Sequence, residues 1–264
     1  MKKGKCKLCL KEDVELLSKS HIIPKFLFED MKDKNNSFIQ ISPDKYVEGR
    51  TQHIKKPRDA FHESNILCEN CDGNIIKEYE DYLKLVFHST LKPTSRPQII
   101  KRIPDKRGFN VLFIENVDYK LYKLGFLSIL WRASISKLPF FKSVVLGPHS
   151  EEIRKMLLEG IALNANDYPF ATSFLNRRND ECQIILPITK FKMENLTHYR
   201  FIINGIDLIF MIGSKSIKLN ESLLNYIPNP NGKLQAIEHK ENYGKNSFQS
   251  LLMNSKDSKP KYNI

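Results

Sequence analysis

The sequence lacks any long hydrophobic run, any internal repeat and any long low-complexity segment. No apolar stretch approaches the roughly 18 to 20 residues that a membrane-spanning helix needs, so we expect no membrane partner. The basic start of the chain is followed by no apolar stretch, which argues against a secretory signal. We therefore expect a cytoplasmic protein, in which thiols stay reduced.

Acidic residues are too few to balance the basic ones, since 42 Lys and Arg stand against 30 Asp and Glu and give a formal charge of +12. The surplus is uneven: residues 1–92 carry 17 basic and 15 acidic side chains, whereas residues 93–264 carry 25 and 15. Such a surplus favours a polyanionic partner such as nucleic acid. A solvated surface is the alternative explanation.

Cysteine is scarce, with five in the chain, but four of them form two Cys-x-x-Cys pairs. The first pair is Cys6 and Cys9, and the second is Cys68 and Cys71. Each pair can direct two thiolates at one metal ion, and two pairs complete the tetrahedral shell that zinc prefers. Two disulfides are the alternative, which a reducing cytoplasm disfavours. We predict a structural zinc site, and we interpret Cys182, alone in an apolar stretch, as a core residue.

Composition divides the chain into three regions, which together predict an α+β protein. Residues 1–92 hold the paired cysteines and a long loop-rich insertion, and a proline-punctuated basic stretch follows them. Residues 93–230 mix strand and helix signals, which predicts a second α+β domain. Residues 231–264 are polar and rich in Lys, Asn and Ser, which predicts a partly disordered tail with a short helix near 248–253.

Within these regions, apolar spacing and capping residues predict individual elements. Alternating apolar residues predict strands at 98–103 and 109–116, and Asn204-Gly205 predicts a hairpin within 199–212. The other predicted elements are a short helix over 24–32, a strand at 38–41, a strand-rich stretch at 181–188, a helix over 118–137 capped by Asp118, and a helix over 150–160 capped by Ser150 and ended by Gly160. The 118–137 helix carries Trp131 and Arg132, and an arginine beside a buried tryptophan is more often structural than functional.

Two short motifs flank the insertion. Ser20-His21-Ile22-Ile23-Pro24 follows the first cysteine pair, and Asn65-Ile66-Leu67 leads into the second pair, after which comes a polar helix. In this order the motifs resemble the HNH endonucleases of the ββα-metal superfamily, of the zinc-knuckle type found in bacterial mobile-element and phage-defence proteins. The resemblance covers about residues 6–88 and implies a ββα-metal module stapled by the four cysteines.

The resemblance also implies roles for single residues. It makes His21 the general base that activates water, and imidazole suits this role because it titrates near neutral pH. It makes Asn65 the residue that orients the histidine, and Asp72 the ligand of a catalytic Mg²⁺ or Mn²⁺. Glu80, further along the same helix, is a second candidate metal ligand. Lysines of this helix, Lys77 and Lys84, are candidate phosphate contacts.

One departure from the family pattern leaves two hypotheses open. The family carries Asp directly before the catalytic histidine, whereas this chain carries Ser20, a weak ligand for a divalent cation. The first hypothesis is a metal-dependent endonuclease acting on double-stranded DNA, with residues 93–230 available to a protein partner. The second is a degenerate, zinc-stabilised nucleic-acid-binding or adaptor protein. Asn65 and Asp72 also have structural interpretations as caps of the turn and helix, and His62 is a weaker candidate for a phosphate contact.

Overall fold

The chain folds as a mixed α+β protein with one large sheet. The computed structural model describes residues 2–32, 35, 40–41, 54–55, 61–88, 97–175, 185–213, 217–219 and 221–239. Cys182 and the predicted short helix near 248–253 lie outside these residues. Within the described residues, no helix is both long enough and apolar enough to cross a membrane.

Short paired strands build the region that carries the cysteines. These pairs are all antiparallel: β1 (Lys2–Gly4) with β2 (Val14–Leu16), β3 (Ser20–His21) with β6 (His62–Glu63), and β4 (Gln40–Ile41) with β5 (Ile54–Lys55). The helix predicted over 24–32 is instead two 3₁₀ turns, Lys25–Leu27 and Glu29–Met31. Phe28 separates them with a φ of −133°, which lies outside the helical range, so no continuous α-helix forms there.

The helix predicted after the second cysteine pair begins in a wider form. Residues Asn70–Ile76 are π-helical and continue directly into α1, Lys77–His88. The backbone N–H of Lys77 donates to the carbonyl of Asp72, five residues back, which is the π-type hydrogen bond. Such short π segments inside helices occur often at functional sites.

A seven-stranded sheet forms the rest of the scaffold. Its strands are β7 (Gln98–Pro104), β8 (Asn110–Glu115), β9 (Phe170–Leu175), β10 (Thr189–Met193), β11 (Leu196–Ile203), β12 (Ile206–Ile212) and β13 (Leu234–His239). The spatial order is β10-β11-β12-β9-β13-β8-β7, and only the β13–β9 pair is parallel. The predicted hairpin at Asn204-Gly205 is confirmed, since both residues have the positive φ that a tight turn between β11 and β12 requires.

Three helices accompany the sheet. The helix α2 (Tyr119–Ile135) begins as predicted, with the Asp118 carboxylate accepting from the Leu121 backbone N–H. The helix α3 (His149–Glu159) ends as predicted at Gly160, which is left-handed, but it begins at His149 after Pro148, so the predicted Ser150 cap is wrong. Within the described residues, the last helix is the short α4, Glu221–Leu224.

One hydrophobic cluster joins the cysteine-bearing region to the sheet. It contains Leu8, Leu67 and Leu83 together with Trp131 and Phe170. The helices α1 and α2 approach closely at Gly125, where an added methyl group would lie 2.7 Å from the Leu83 side chain. The boundary predicted near residue 92 lies outside the described residues, and the regions on either side of it share this core. The region predicted as a tail contributes β13, whose Leu234 and Ala236 are buried.

Candidate metal centre and active site

The four paired cysteines come together although 58 residues separate the two pairs. Their sulfur atoms all lie within 4.8 Å of one another, and the Sγ atoms of Cys9 and Cys68 are 4.0 Å apart. A regular tetrahedron with metal–sulfur bonds of about 2.3 Å has sulfur–sulfur edges of about 3.8 Å. All four thiols are free, so the disulfide alternative is not what this part of the chain adopts. The cluster could bind a metal such as zinc.

Backbone contacts bring the two cysteine pairs into register. Leu16 at the end of β2 forms a β-bridge with Cys68, and the Lys7 N–H donates to the Ile66 carbonyl. The Cys68 N–H also faces the Cys6 sulfur at 3.4 Å. The Cys71 thiol and backbone N–H groups lower the pKa of the Cys6 thiol. Thiolate is the form that ligates metal, so these donors suit a metal-binding cluster.

Helix α3 places a cation beside this cluster. The Arg154 guanidinium donates to the backbone carbonyl of Leu8, between the first two cysteines, and forms an ion pair with Glu151 at 2.7 Å. The nearby Cys9 contributes to raising the pKa of Arg154, after the larger effect of Glu151. Four thiolates around a divalent ion carry a net negative charge, and a neighbouring guanidinium offsets part of it.

His21 and His62 lie directly opposite each other in the β3–β6 pair. Their ring centroids are 6.0 Å apart, and both side chains are half-buried. Adjacent residues of a strand point to opposite faces, so Ser20 lies on the other side from His21. Ser20 is fully buried, and its hydroxyl has no hydrogen-bond partner among the described residues. Its hydroxyl is therefore not presented beside the imidazole.

Asp72 and Glu80 lie on the two parts of one helix, and Arg132 interacts electrostatically with both. Burial raises the pKa of Asp72 to about 6, Arg132 opposes this rise, and Glu80 and Glu69 add to it. Glu80 accepts a hydrogen bond at 2.6 Å from the Nη1 atom of Arg132. In a regular α-helix Glu80 would lie about 80° around the axis from Asp72. The π-helical turns change this offset.

Arg132 connects this helix to the strand that carries His21. Its side chain is only 1 % exposed, and the Nη1 atom that contacts Glu80 also donates to the backbone carbonyl of His21. The neighbouring strand is held by a second contact from the end of α2, because the Glu63 carboxylate accepts from the Ser136 hydroxyl and the Lys137 N–H. Both strands of the β3–β6 pair are thus positioned from α2.

The other predicted site residues lie around this centre. Asn65 is exposed with a left-handed φ of 61°, and its N–H donates to the Leu17 carbonyl, which is the position of a turn residue. Arg132 contacts His21 and Glu80 but not Asn65. Lys77 forms an ion pair with Asp81, whereas Lys84 is an exposed residue of α1.

Arg132 and His62 lie at this centre, although the sequence indicated a structural role for Arg132 and only a weak phosphate contact for His62. A charged residue within an otherwise apolar helical stretch indicates a buried partner, and this signal was available for Arg132. His62 had no matched motif position, and its place opposite His21 depends on the strand register. Comparisons with protein-family models, with curated proteins and with solved structures found no match. The interpretation of the site therefore depends on its own geometry and chemistry.

Proposed function

We propose that this chain is a metal-dependent HNH-type endonuclease that hydrolyses DNA phosphodiester bonds, with His21 as general base. The observation that supports it best is the double contact of Arg132 with the His21 carbonyl and the Glu80 carboxylate. This contact holds the β3 and β6 strands and the helix after the second cysteine pair beside the buried guanidinium of Arg132. Two strands and a helix beside a cysteine cluster are the parts that the resemblance requires.

The four cysteines hold a structural zinc ion in this proposal. Cys6, Cys9, Cys68 and Cys71 fit zinc in ligand type, in number and in sulfur–sulfur distance. The ion would fix the β1–β2 hairpin to the start of the π-helical segment. These short elements have little hydrophobic core of their own. Its contribution would be to folding, because all four ligand positions are occupied by the chain.

Asp72 holds the catalytic Mg²⁺ or Mn²⁺ in this proposal. Its carboxylate offers the hard oxygen ligands that these cations prefer, and its pKa near 6 leaves it mostly ionised at neutral pH. A bound divalent cation would stabilise the charge of the pentacovalent transition state and of the leaving oxygen. Glu80, also predicted as a ligand, has one oxygen engaged by Arg132, so we assign it first to positioning that arginine.

The side chains of the β3–β6 pair carry the proton transfer. His21 accepts a proton from the attacking water, which then approaches phosphorus opposite the leaving 3′ oxygen. The resemblance implies 3′-hydroxyl and 5′-phosphate products. His62, on the neighbouring strand, is suited to donate a hydrogen bond to a phosphate oxygen. Lys84 and the formal charge of +12 favour binding of the DNA backbone.

A plasmid-nicking assay tests the proposal with the full chain loaded with zinc. We expect cleavage of double-stranded DNA with Mg²⁺ or Mn²⁺, and a rate at least about 100-fold lower for His21→Ala. The matched control is His149→Ala, since His149 is half-buried on α3 beside Tyr168 and away from the site. Equal rates for wild type and His21→Ala would refute His21 as the base. A folded wild-type chain that cleaves no DNA with either cation would refute the nuclease.

The buried hydroxyl of Ser20 favours a second candidate, a zinc-stabilised nucleic-acid-binding or adaptor protein without catalysis. Because Ser20 offers no ligand beside His21, the catalytic cation would depend on Asp72, water and substrate phosphates alone. Gel-shift measurements separate the two functions: DNA binding by a folded chain with no product in the nicking assay supports the binding protein. The predicted protein partner of residues 93–230 belongs to this candidate as well.

A further inference from the structure

A cavity, here called the far-face cavity, lies on the seven-stranded sheet away from the proposed nuclease centre. It has a volume of about 460 Å³, which falls in the range of small-molecule sites. Its lining includes an arginine, two aromatic rings and three polar groups of the sheet: Arg107, Phe109, Tyr226, Ser173, Asp207 and His239.

Strand register places the polar groups of this cavity on one face of the three central strands. Ser173 of β9 is paired with Asp207 of β12 and with Ile237 of β13, and His239 lies two residues further along β13. The preceding residue of β9, Thr172, directs its hydroxyl to the other face of the sheet, where it accepts a hydrogen bond from the Tyr122 hydroxyl of α2. The far-face cavity is therefore on the opposite side of the sheet from α1 and α2.

The floor of the cavity contains an ion pair whose carboxylate is buried and whose guanidinium is about one-quarter exposed. Asp207 is 2 % exposed, and both of its carboxylate oxygens accept from the Arg200 guanidinium, at 2.7 to 3.2 Å. An apolar pair would stabilise a sheet at least as well, because burying two charges loses their hydration. An ion pair that faces a cavity is therefore better evidence for ligand recognition than for stabilisation of the sheet.

A serine and a histidine complete the floor. The Ser173 hydroxyl and the His239 Nε2 atom are 3.1 Å apart. Burial lowers the pKa of His239, Asp207 opposes this, and Arg200 adds to it, so the imidazole is neutral at neutral pH. A neutral imidazole and a hydroxyl can each donate or accept, which suits them to a ligand edge that carries both kinds of group.

The same geometry argues against a nucleophilic role for Ser173. It lies in β9, an interior strand whose backbone groups are paired with β12 on one side and β13 on the other, so the strand offers no oxyanion hole. The Asp207 carboxylate is engaged by Arg200 instead of orienting His239 as in a catalytic triad. The geometry of the cavity therefore favours ligand binding over catalysis.

We infer that the far-face cavity binds a purine nucleotide. Phe109 with the Arg107 guanidinium 4.8 Å from its ring centroid, and Tyr226 from the turn after α4, supply flat surfaces for stacking on a heteroaromatic ring. Ser173 and His239 offer donors and acceptors to a purine edge. Arg107 is exposed at the rim, and within the described residues its ion pair is with the Asp105 carboxylate, a partner that a phosphate can replace.

Isothermal titration of the full, zinc-loaded chain with AMP and GMP tests the assignment. We expect binding of at least one of them with a Kd below about 100 µM, and much weaker binding of CMP, UMP and ribose 5-phosphate. Ser173→Ala should weaken binding about fivefold without changing the thermal midpoint, because it removes one half-buried hydroxyl. Phe109→Ala should weaken it more, through loss of stacking.

The matched control is Ser143→Ala, a half-buried serine that bonds the Ile188 carbonyl and does not line the cavity. Unchanged affinity in both Ser173→Ala and Phe109→Ala would place the nucleotide elsewhere and overturn the inference. Equal affinity for ribose 5-phosphate and the purine nucleotides would show that only the phosphate is recognised and would overturn the purine assignment. No binding of any purine nucleotide at about 1 mM, either by heat or by equilibrium dialysis, would refute it outright.

Discussion

Arg132 and Glu80 form an ion pair at 2.6 Å in which the arginine is buried and the carboxylate is about one-quarter exposed. The same guanidinium bonds the carbonyl of His21, so a residue of α2 holds parts of the chain that are 52 and 111 positions away. The contact explains how short strands and a π-helical start keep a fixed geometry. It also makes residues beyond 92 part of the proposed nuclease centre.

Replacement of Arg132 should destabilise the whole chain. In Arg132→Met the Glu80 carboxylate loses its cation and the His21 carbonyl loses a donor, so we expect a loss of about 3 kcal/mol in the free energy of unfolding, measured with urea. The control is Arg102→Met, because Arg102 is half exposed in its ion pair with Glu238 and should contribute less than about 1 kcal/mol.

A double-mutant cycle separates the ion pair from the lost packing. Glu80→Gln in the Arg132→Met background removes the uncompensated charge, so the double variant should be more stable than the sum of the two single losses predicts. Additive losses would show that Arg132 acts through packing alone.

The cysteine cluster predicts a metal requirement for folding. Wild-type protein should contain one zinc ion per chain, and Cys68→Ser should lose most of the zinc and lower the thermal midpoint, because three ligands bind far more weakly than four. Metal analysis and thermal unfolding measure both effects. Cys182→Ser is the control and should keep its zinc. A wild-type chain that folds equally well after chelation would contradict the prediction.

Local chemistry explains which elements were predictable from the sequence. The Asp118 cap, the left-handed Gly160 and the Asn204-Gly205 turn each depend on a few adjacent residues, and each is found as expected. Each cysteine pair is equally local. Coordination chemistry then predicts that the two pairs meet at one site, although they are far apart in the chain. Such signals do not depend on the rest of the fold.

Long-range contacts explain what the sequence did not reveal. β13 lies within a region of polar composition, and only its pairing with β8 and β9 makes it an interior strand. The π-helical start at Asn70 and the position of His62 opposite His21 depend on the folded cluster around them. The catalytic roles of Asn65 and Asp72 stay predictions. The contacts found for Asn65 are those of a turn residue.

Lys123 should give the stability of the protein a distinct pH dependence. Its side chain is buried, and burial lowers its pKa from 10.5 to about 8, although the nearby Asp167 opposes this. Between pH 8 and 10.5 the unfolded chain therefore binds more protons at this lysine than the folded chain does. The contribution of Lys123 to the free energy of unfolding rises with pH in this window, by about 3 kcal/mol.

Comparison of wild type with Lys123→Met isolates this effect. Other groups titrate in both proteins, so the difference between their free energies of unfolding should move in favour of the wild type as pH increases from 7.5 to 10. Urea unfolding at several pH values measures it. A difference that stays constant with pH would contradict a lowered pKa, whatever the variant's stability.

His62 should affect DNA cleavage differently from His21. A general base acts on the attacking water, so His21→Ala should lower kcat and leave KM for DNA nearly unchanged. A residue that bonds a phosphate oxygen equally in the ground state and the transition state contributes uniform binding, so His62→Ala should raise KM about tenfold with little change in kcat. His62→Gln, which keeps a donor, should recover part of the loss. Steady-state nicking kinetics resolve the two patterns. The same fall in kcat for both alanine variants, with no change in KM, would assign His62 to the proton transfer instead of the phosphate.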